Sequence, residues 1–113
     1  MAMLAMAIPI SAGKTEQFNS FMTALKGPRF EEFKASRRKL GVHERTFLQH
    51  TPMGDFVVVT IEGADPARAF AEFGQGTDDF TKWFMKQALE IHGIDLSAPP
   101  PGPLPELVID SGK

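Results

Sequence analysis

Cysteine is absent from the sequence. With it go disulfides, thiolate metal sites, thiol redox chemistry and cysteine nucleophiles. Tyrosine is also absent, tryptophan occurs once, at Trp83, and asparagine once, at Asn19. No strong excess of either charge is present: 12 basic and 14 acidic residues leave a net charge of −2, which argues against a nucleic-acid binder held by bulk electrostatics. A long hydrophobic run is missing as well. The apolar stretch Met1 to Ile10 carries no basic residue and ends at Ser11-Ala12-Gly13. It is about half the ~20 residues that a membrane span needs, and it lacks the charged start of a secretory signal. The expectation is a protein with no membrane partner and a cytoplasmic location.

What is present is phenylalanine. Ten Phe in 113 residues, within 42% hydrophobic and 23% charged residues, describe one globular domain covering residues 1–113. Met3 to Ile10 reads as a short strand buried on both faces. From Lys14 the period becomes helical: Phe18, Phe21, Met22 and Leu25 fall at i, i+3, i+4 and i+7. Gly27-Pro28 interrupts this pattern, and Phe30, Phe33, Arg37 and Leu40 resume it up to Gly41. The expectation is one kinked helix or two joined end to end, closed by Gly41 at C′ with Arg37, Arg38 and Lys39 at the negative end of the dipole.

Val42 to His50 and Asp55 to Glu62 are rich in Val, Thr, Phe and Ile and flank Thr51-Pro52-Met53-Gly54. This is the pattern of a β-hairpin. Pairing His50 with Asp55 sets Leu48 opposite Val57, Thr46 opposite Val59 and Glu44 opposite Ile61. On the other face Phe47 meets Val58, Arg45 meets Thr60 and His43 meets Glu62. Asp65-Pro66 then starts a helix that ends at Gly74-Gln75-Gly76. Thr77 or Asp78 caps another, with Phe80, Trp83, Phe84, Ala88 and Ile91 on its apolar face. A proline-rich arm over 97–105 follows, semi-rigid and extended, and a short final strand over 106–110.

The order strand, helix, strand, strand, helix, strand is the α+β, ferredoxin-like βαββαβ arrangement: an antiparallel sheet with helices on one face. The second sheet face, with Phe47 and Val58 beside His43, Arg45, Thr60 and Glu62, is half apolar and half polar. That mixture suits a subunit interface or a ligand cavity.

The run Ile8-Pro9-Ile10-Ser11-Ala12-Gly13-Lys14, with Phe18 behind it, resembles the first strand and "PGK" turn of dimeric α/β-barrel proteins. Phe47 to Phe56 and Asp79 to Phe84 resemble a small bacterial branch of that superfamily without an assigned chemistry. The superfamily includes antibiotic-biosynthesis monooxygenases, haem-degrading monooxygenases, muconolactone isomerase-like proteins and stress-responsive proteins. The resemblance implies two ferredoxin-like subunits paired sheet to sheet as a homodimer. The catalytic sets of these enzymes do not carry over. The haem-degrading members combine His, Asn and Trp, whereas here His92 stands at a helix end and Asn19 is the sole Asn. The quinone-forming members use Tyr-type groups, and this chain has none.

Two constellations remain. His43 beside Glu62 has the make-up of an oriented general base, with Arg45 and Thr60 holding an anionic substrate. The same four residues equally suit cross-strand or inter-subunit pairs that set dimer register. Arg37, Trp83 and Gln87 sit on apolar helical stripes. Trp83 can stack a planar ligand and Arg37 hold its charge, or Trp83 is core and Arg37 a snorkelling cap. His43, His50 and His92 show no metal-ligand spacing, so neither metal nor cofactor is expected. Two function classes follow: a homodimeric protein that binds or converts a small planar or anionic molecule, monooxygenase-like or isomerase-like, and a non-enzymatic dimeric stress-associated or regulatory module.

Overall fold

In the computed structural model, which describes residues 2–112, the chain is an α+β domain of one three-stranded antiparallel sheet and four helices. It is compatible with a ferredoxin-like arrangement. The elements run β1 (Ala2–Pro9), α1 (Thr15–Lys26), α2 (Phe30–Leu40), β2 (Val42–Thr51), β3 (Gly54–Gly63), α3 (Pro66–Phe73) and α4 (Asp79–His92). The strands lie in the order β1-β3-β2.

The hairpin takes the register that its turn and alternation specify: His50 pairs with Asp55, Leu48 with Val57, Glu44 with Ile61 and His43 with Glu62. Gly54 supplies the positive φ of 121° at the turn. β1 joins the other side of β3, placing Leu4 beside Ile61 and Ile8 beside Val57. One sheet face is therefore Leu4, Met6, Val57 and Ile61, all buried. The helices pack on this face, with Phe18, Phe21 and Leu25 of α1 and Phe80 and Ile91 of α4 closing the main core around Val57.

The helix boundaries have local causes. Gly27 to Arg29 separate α1 from α2, so the interrupted stripe is two helices. Gly41 is left-handed and caps the carbonyls of Arg37 and Arg38, letting the chain pass from α2 into β2 through a single residue. The Asp65 side chain accepts from Arg68 N, with Pro66 opening α3. Asp78 caps α4 by accepting from both Thr81 N and Thr81 Oγ1. At Gly74, after α3, a Cβ would overlap the Leu96 carbonyl, so the absence of a side chain holds the segment beyond α4 in place.

Three expectations need correction. β1 is not buried on both faces: Leu4 and Met6 are buried and Ile8 half-buried, but Met3, Ala5 and Ala7 are exposed, because nothing covers the outer face. Phe30 does not join the core of its helical stripe. It is exposed, under the Lys34 ammonium at 4.8 Å. Residues 106–110 make no strand in this structure: Leu107, Val108 and Ile109 are unpaired and exposed. Among the described residues, no helix is long and apolar enough to cross a membrane.

Candidate functional site

A cavity of about 90 Å³ lies between the helix layer and the inner sheet face. Met6, Val57, Val59 and Ile61 form its floor, and Phe18, Phe21 and Phe84 are among the helix residues above it. Along the strands it runs from the Glu44–Ile61 row to the Leu48–Val57 row, four residues or about 13 Å apart.

Charge enters this apolar space at one end. Arg37, on the buried side of α2, places Nε 2.8 Å from Glu44 Oε1 of β2, with both side chains about nine-tenths buried. Both residues line the cavity. The single-residue Gly41 connection folds α2 back onto β2 and brings them together. Three rings surround the guanidinium, with its carbon 4.4 Å from the centroid of Phe73 and 4.8 Å from those of Phe33 and Phe84. Such contacts suit a weakly hydrated, planar cation. Arg37 Nη1 also donates to Ser36 Oγ at 3.0 Å. Of the five guanidinium N–H groups, two thus have acceptors, and the other three find none among the described residues.

His92 lines the cavity at the other end. Its Nδ1 donates to the Pro9 carbonyl at 2.9 Å, tying the end of α4 to the end of β1. Burial pulls its pKa below the usual histidine value, and the bond to Pro9 partly offsets this. Burial therefore favours the neutral ring. With the proton on Nδ1, Nε2 is left as an acceptor.

The residues singled out in the sequence separate into three places. Arg37 is in the cavity. Trp83 is not: it packs edge-on against Phe21 at 5.2 Å, and the Arg29 guanidinium lies 4.2 Å over its ring. That cation occupies the face a planar ligand would need. Gln87 is half-buried and accepts from Gln17 Nε2 at 3.4 Å, across the α1–α4 seam. His43, Arg45, Thr60 and Glu62 share the outer sheet face. There Glu62 meets Arg45 at 3.6 Å, with side chains 33% and 49% exposed, and has no hydrogen bond to His43. This surface is open, with no enclosing wall to exclude water.

Glu44, Thr46 and His92 are the polar members of the cavity that sequence reasoning did not assign to a site. The signal for Glu44 was a lone carboxylate on an otherwise apolar strand face, seven residues after an Arg on an apolar helical stripe. His50 Nδ1 donates to Asp55 Oδ1 at 2.7 Å, and Asp55 also accepts from Thr15 Oγ1 at 2.7 Å. The Thr15 hydroxyl, then His50, hold the Asp55 carboxyl below the usual range. That group links the hairpin to α1. Among the described residues no three His, Asp or Glu side chains come together as a metal site.

Comparisons with protein-family models, curated proteins and solved structures give no match to this chain. Its chemistry rests on its own residues.

Proposed function

We propose that the protein binds, or converts without a metal or cofactor, a small planar or anionic organic molecule in the cavity between helices and sheet. The observation that carries this reading is Arg37, a buried cation on a cavity wall with three N–H groups unused. Glu44 neutralises its charge, so the site can stay desolvated, while the free N–H groups recognise a carboxylate, phenolate or carbonyl oxygen. His92 Nε2 accepts from a donor at the far end, and is the nitrogen that would take a proton in an isomerase-like or monooxygenase-like step. At about 90 Å³ the space is smaller than the ~150 Å³ apolar cavity that takes benzene. A larger guest must displace lining side chains, for which the flexible Met6 and Met22 are suited.

A thermal-shift screen of aromatic acids, quinols, their neutral isosteres and haem tests the reading. A fitting ligand at a hundred times its Kd adds about 2.7 kcal/mol, and the shift should vanish when Arg37→Met and Glu44→Leu are combined. If no compound moves the melting temperature, the reading fails.

The bare outer face supports a second element: pairing with another copy of the chain, sheet to sheet, as a ferredoxin-like dimeric α/β barrel. Phe47 and Met3 are 54% and 53% exposed there, beside Ala5 and Ala7. The Arg45–Glu62 pair on this face favours the interface role of the His43, Arg45, Thr60 and Glu62 set over a catalytic one. It also supports the second function class, a non-enzymatic dimeric module. A folded monomer sedimenting at micromolar concentration would contradict the dimer. Loss of turnover of some substrate by His43→Ala or Arg45→Ala, with the dimer intact, would contradict the interface role.

A further inference from the structure

The ionisable residues that line the cavity are Arg37, Glu44 and His92. Arg37 and Glu44 offset each other at 2.8 Å, and burial favours an uncharged His92. The cavity wall therefore carries no net charge. A carboxylate entering this apolar space would bring a negative charge with no counter-charge left to meet it, because Glu44 already holds the guanidinium. An uncompensated charge in such a place is expensive.

The hydrogen-bonding atoms lead to the same class of guest. The pair is joined through Arg37 Nε and Glu44 Oε1, which leaves Arg37 Nη2 and Glu44 Oε2 without a partner. Among the described residues, no fully enclosed side-chain nitrogen or oxygen lacks a hydrogen bond. Nη2 and Oε2 must then each reach open space, and the space that both residues line is the cavity. Each atom is one carbon removed from the bonded atom of its own side chain, so a donor and an acceptor stand close together at this end. A guanidinium only donates and a carboxylate only accepts. A guest that satisfies both must present a carbonyl oxygen beside an N–H. A primary amide or a lactam does so with no net charge. A carboxylate presents acceptors alone, and turns one of them toward the like-charged Oε2. Thr46, two residues along β2 on the same face as Glu44, adds a hydroxyl to this wall that serves a donor or an acceptor.

We propose, on the reading above that the cavity binds a small organic molecule, that its guest is uncharged and carries an amide-type edge, and that Glu44 is the residue that excludes carboxylates. Arg37 supplies the donors for the carbonyl oxygen. Glu44 accepts from the neighbouring N–H and sets the selectivity by what it repels.

Calorimetric titration of the full chain at pH 7 tests the selection with pairs alike in shape: benzamide against benzoate, and the smaller propionamide against propionate. In each pair that binds, the amide should bind about tenfold more tightly or better. Any remaining carboxylate binding should take up about one proton per guest, and amide binding none, read from the dependence of the heat on the buffer's ionisation enthalpy. Glu44→Gln keeps the side chain's shape, removes the balancing charge and should reverse the order of each pair. If that variant does not fold, the wild-type comparison and the proton count decide. The proposal is overturned if the carboxylates bind as tightly as the amides, or bind with no proton uptake. It is equally overturned if a folded Glu44→Gln variant keeps the wild-type order, or if neither member of either pair binds while other compounds do so in a manner that Arg37→Met with Glu44→Leu abolishes. In all these cases the cavity reading stands and the selection falls. If no compound of any class binds, the cavity reading falls and takes the selection with it.

Discussion

Glu44 and Arg45 are neighbours in β2, and each belongs to an Arg–Glu pair, but the two pairs live in different solvents. Glu44 points inward to Arg37 at 2.8 Å, with side chains 8% and 10% exposed. Arg45 points outward to Glu62 at 3.6 Å, with both partners substantially in water. One residue of strand alternation separates a pair that must be complete from a pair that is nearly free to break. The inner pair is held in a low-dielectric cavity where a lone charge is expensive. The outer pair gains little, because water screens it as well as its partner does.

The sharpest break of this contrast is Arg37→Met alone. It strands Glu44 and should cost about 3–5 kcal/mol, read as a lowered midpoint in urea unfolding. Adding Glu44→Leu should restore most of that loss. An unrecovered double variant would mean that the pair organises the α2–β2 junction and is more than a matched charge. Next comes Val57→Ala, at 2% exposure on the inner face, expected to cost about 2 kcal/mol. Val58→Ala, one residue on and outward, should cost less than about 1 kcal/mol in the monomer. Equal costs would show that the outer face is as well packed as the inner. Arg45→Ala and Glu62→Ala should each change stability by about 0–1 kcal/mol, shrinking further in high salt. The smallest effect tests a carboxylate outside both pairs. The Thr81 hydroxyl, then the Thr81 amide, lower the Asp78 pKa. Its contribution is therefore present above the ordinary Asp pKa and is lost as pH falls through the lowered one. Asp78→Asn keeps a capping oxygen, costs a few tenths of a kcal/mol at pH 7, and should flatten the acid limb of a stability-against-pH curve.

The register of β2 and β3 was legible because the Thr51–Gly54 turn and strict alternation agree, and a slip would turn Val57 and Ile61 to water. The capping residue Asp65 was legible for a local reason too, since a cap needs only a side-chain oxygen three residues before an amide, and for α4 the same signal narrowed the cap to Thr77 or Asp78, of which Asp78 takes the role. The Arg37–Glu44 pair was not. Each residue stood out alone, but their meeting depends on how α2 folds back over β2 through Gly41, a tertiary angle that periodicity does not encode. Trp83 was legible as a helix-face aromatic, yet its partner Arg29 lies in the turn between α1 and α2 and covers one face of the ring. β1 misled because its outward residues, Met3, Ala5 and Ala7, are as apolar as its inward ones. An apolar outward row reads as burial whether or not a cover is present in the same chain.

The strand order β1-β3-β2 also sets a folding schedule. β2 and β3 are joined by a tight turn and zip locally, with α2 close behind through Gly41. β1 must find β3 across the whole α1–α2–β2 stretch, pairing Ala2 with Gly63 and Pro9 with Phe56. Non-local pairing of this kind pays loop-closure entropy before any contact is gained. Changes in the hairpin should therefore alter the folding rate, and changes in β1 mainly the unfolding rate. The strand whose outer edge makes no further backbone pairing among the described residues is then also the last one its own chain secures.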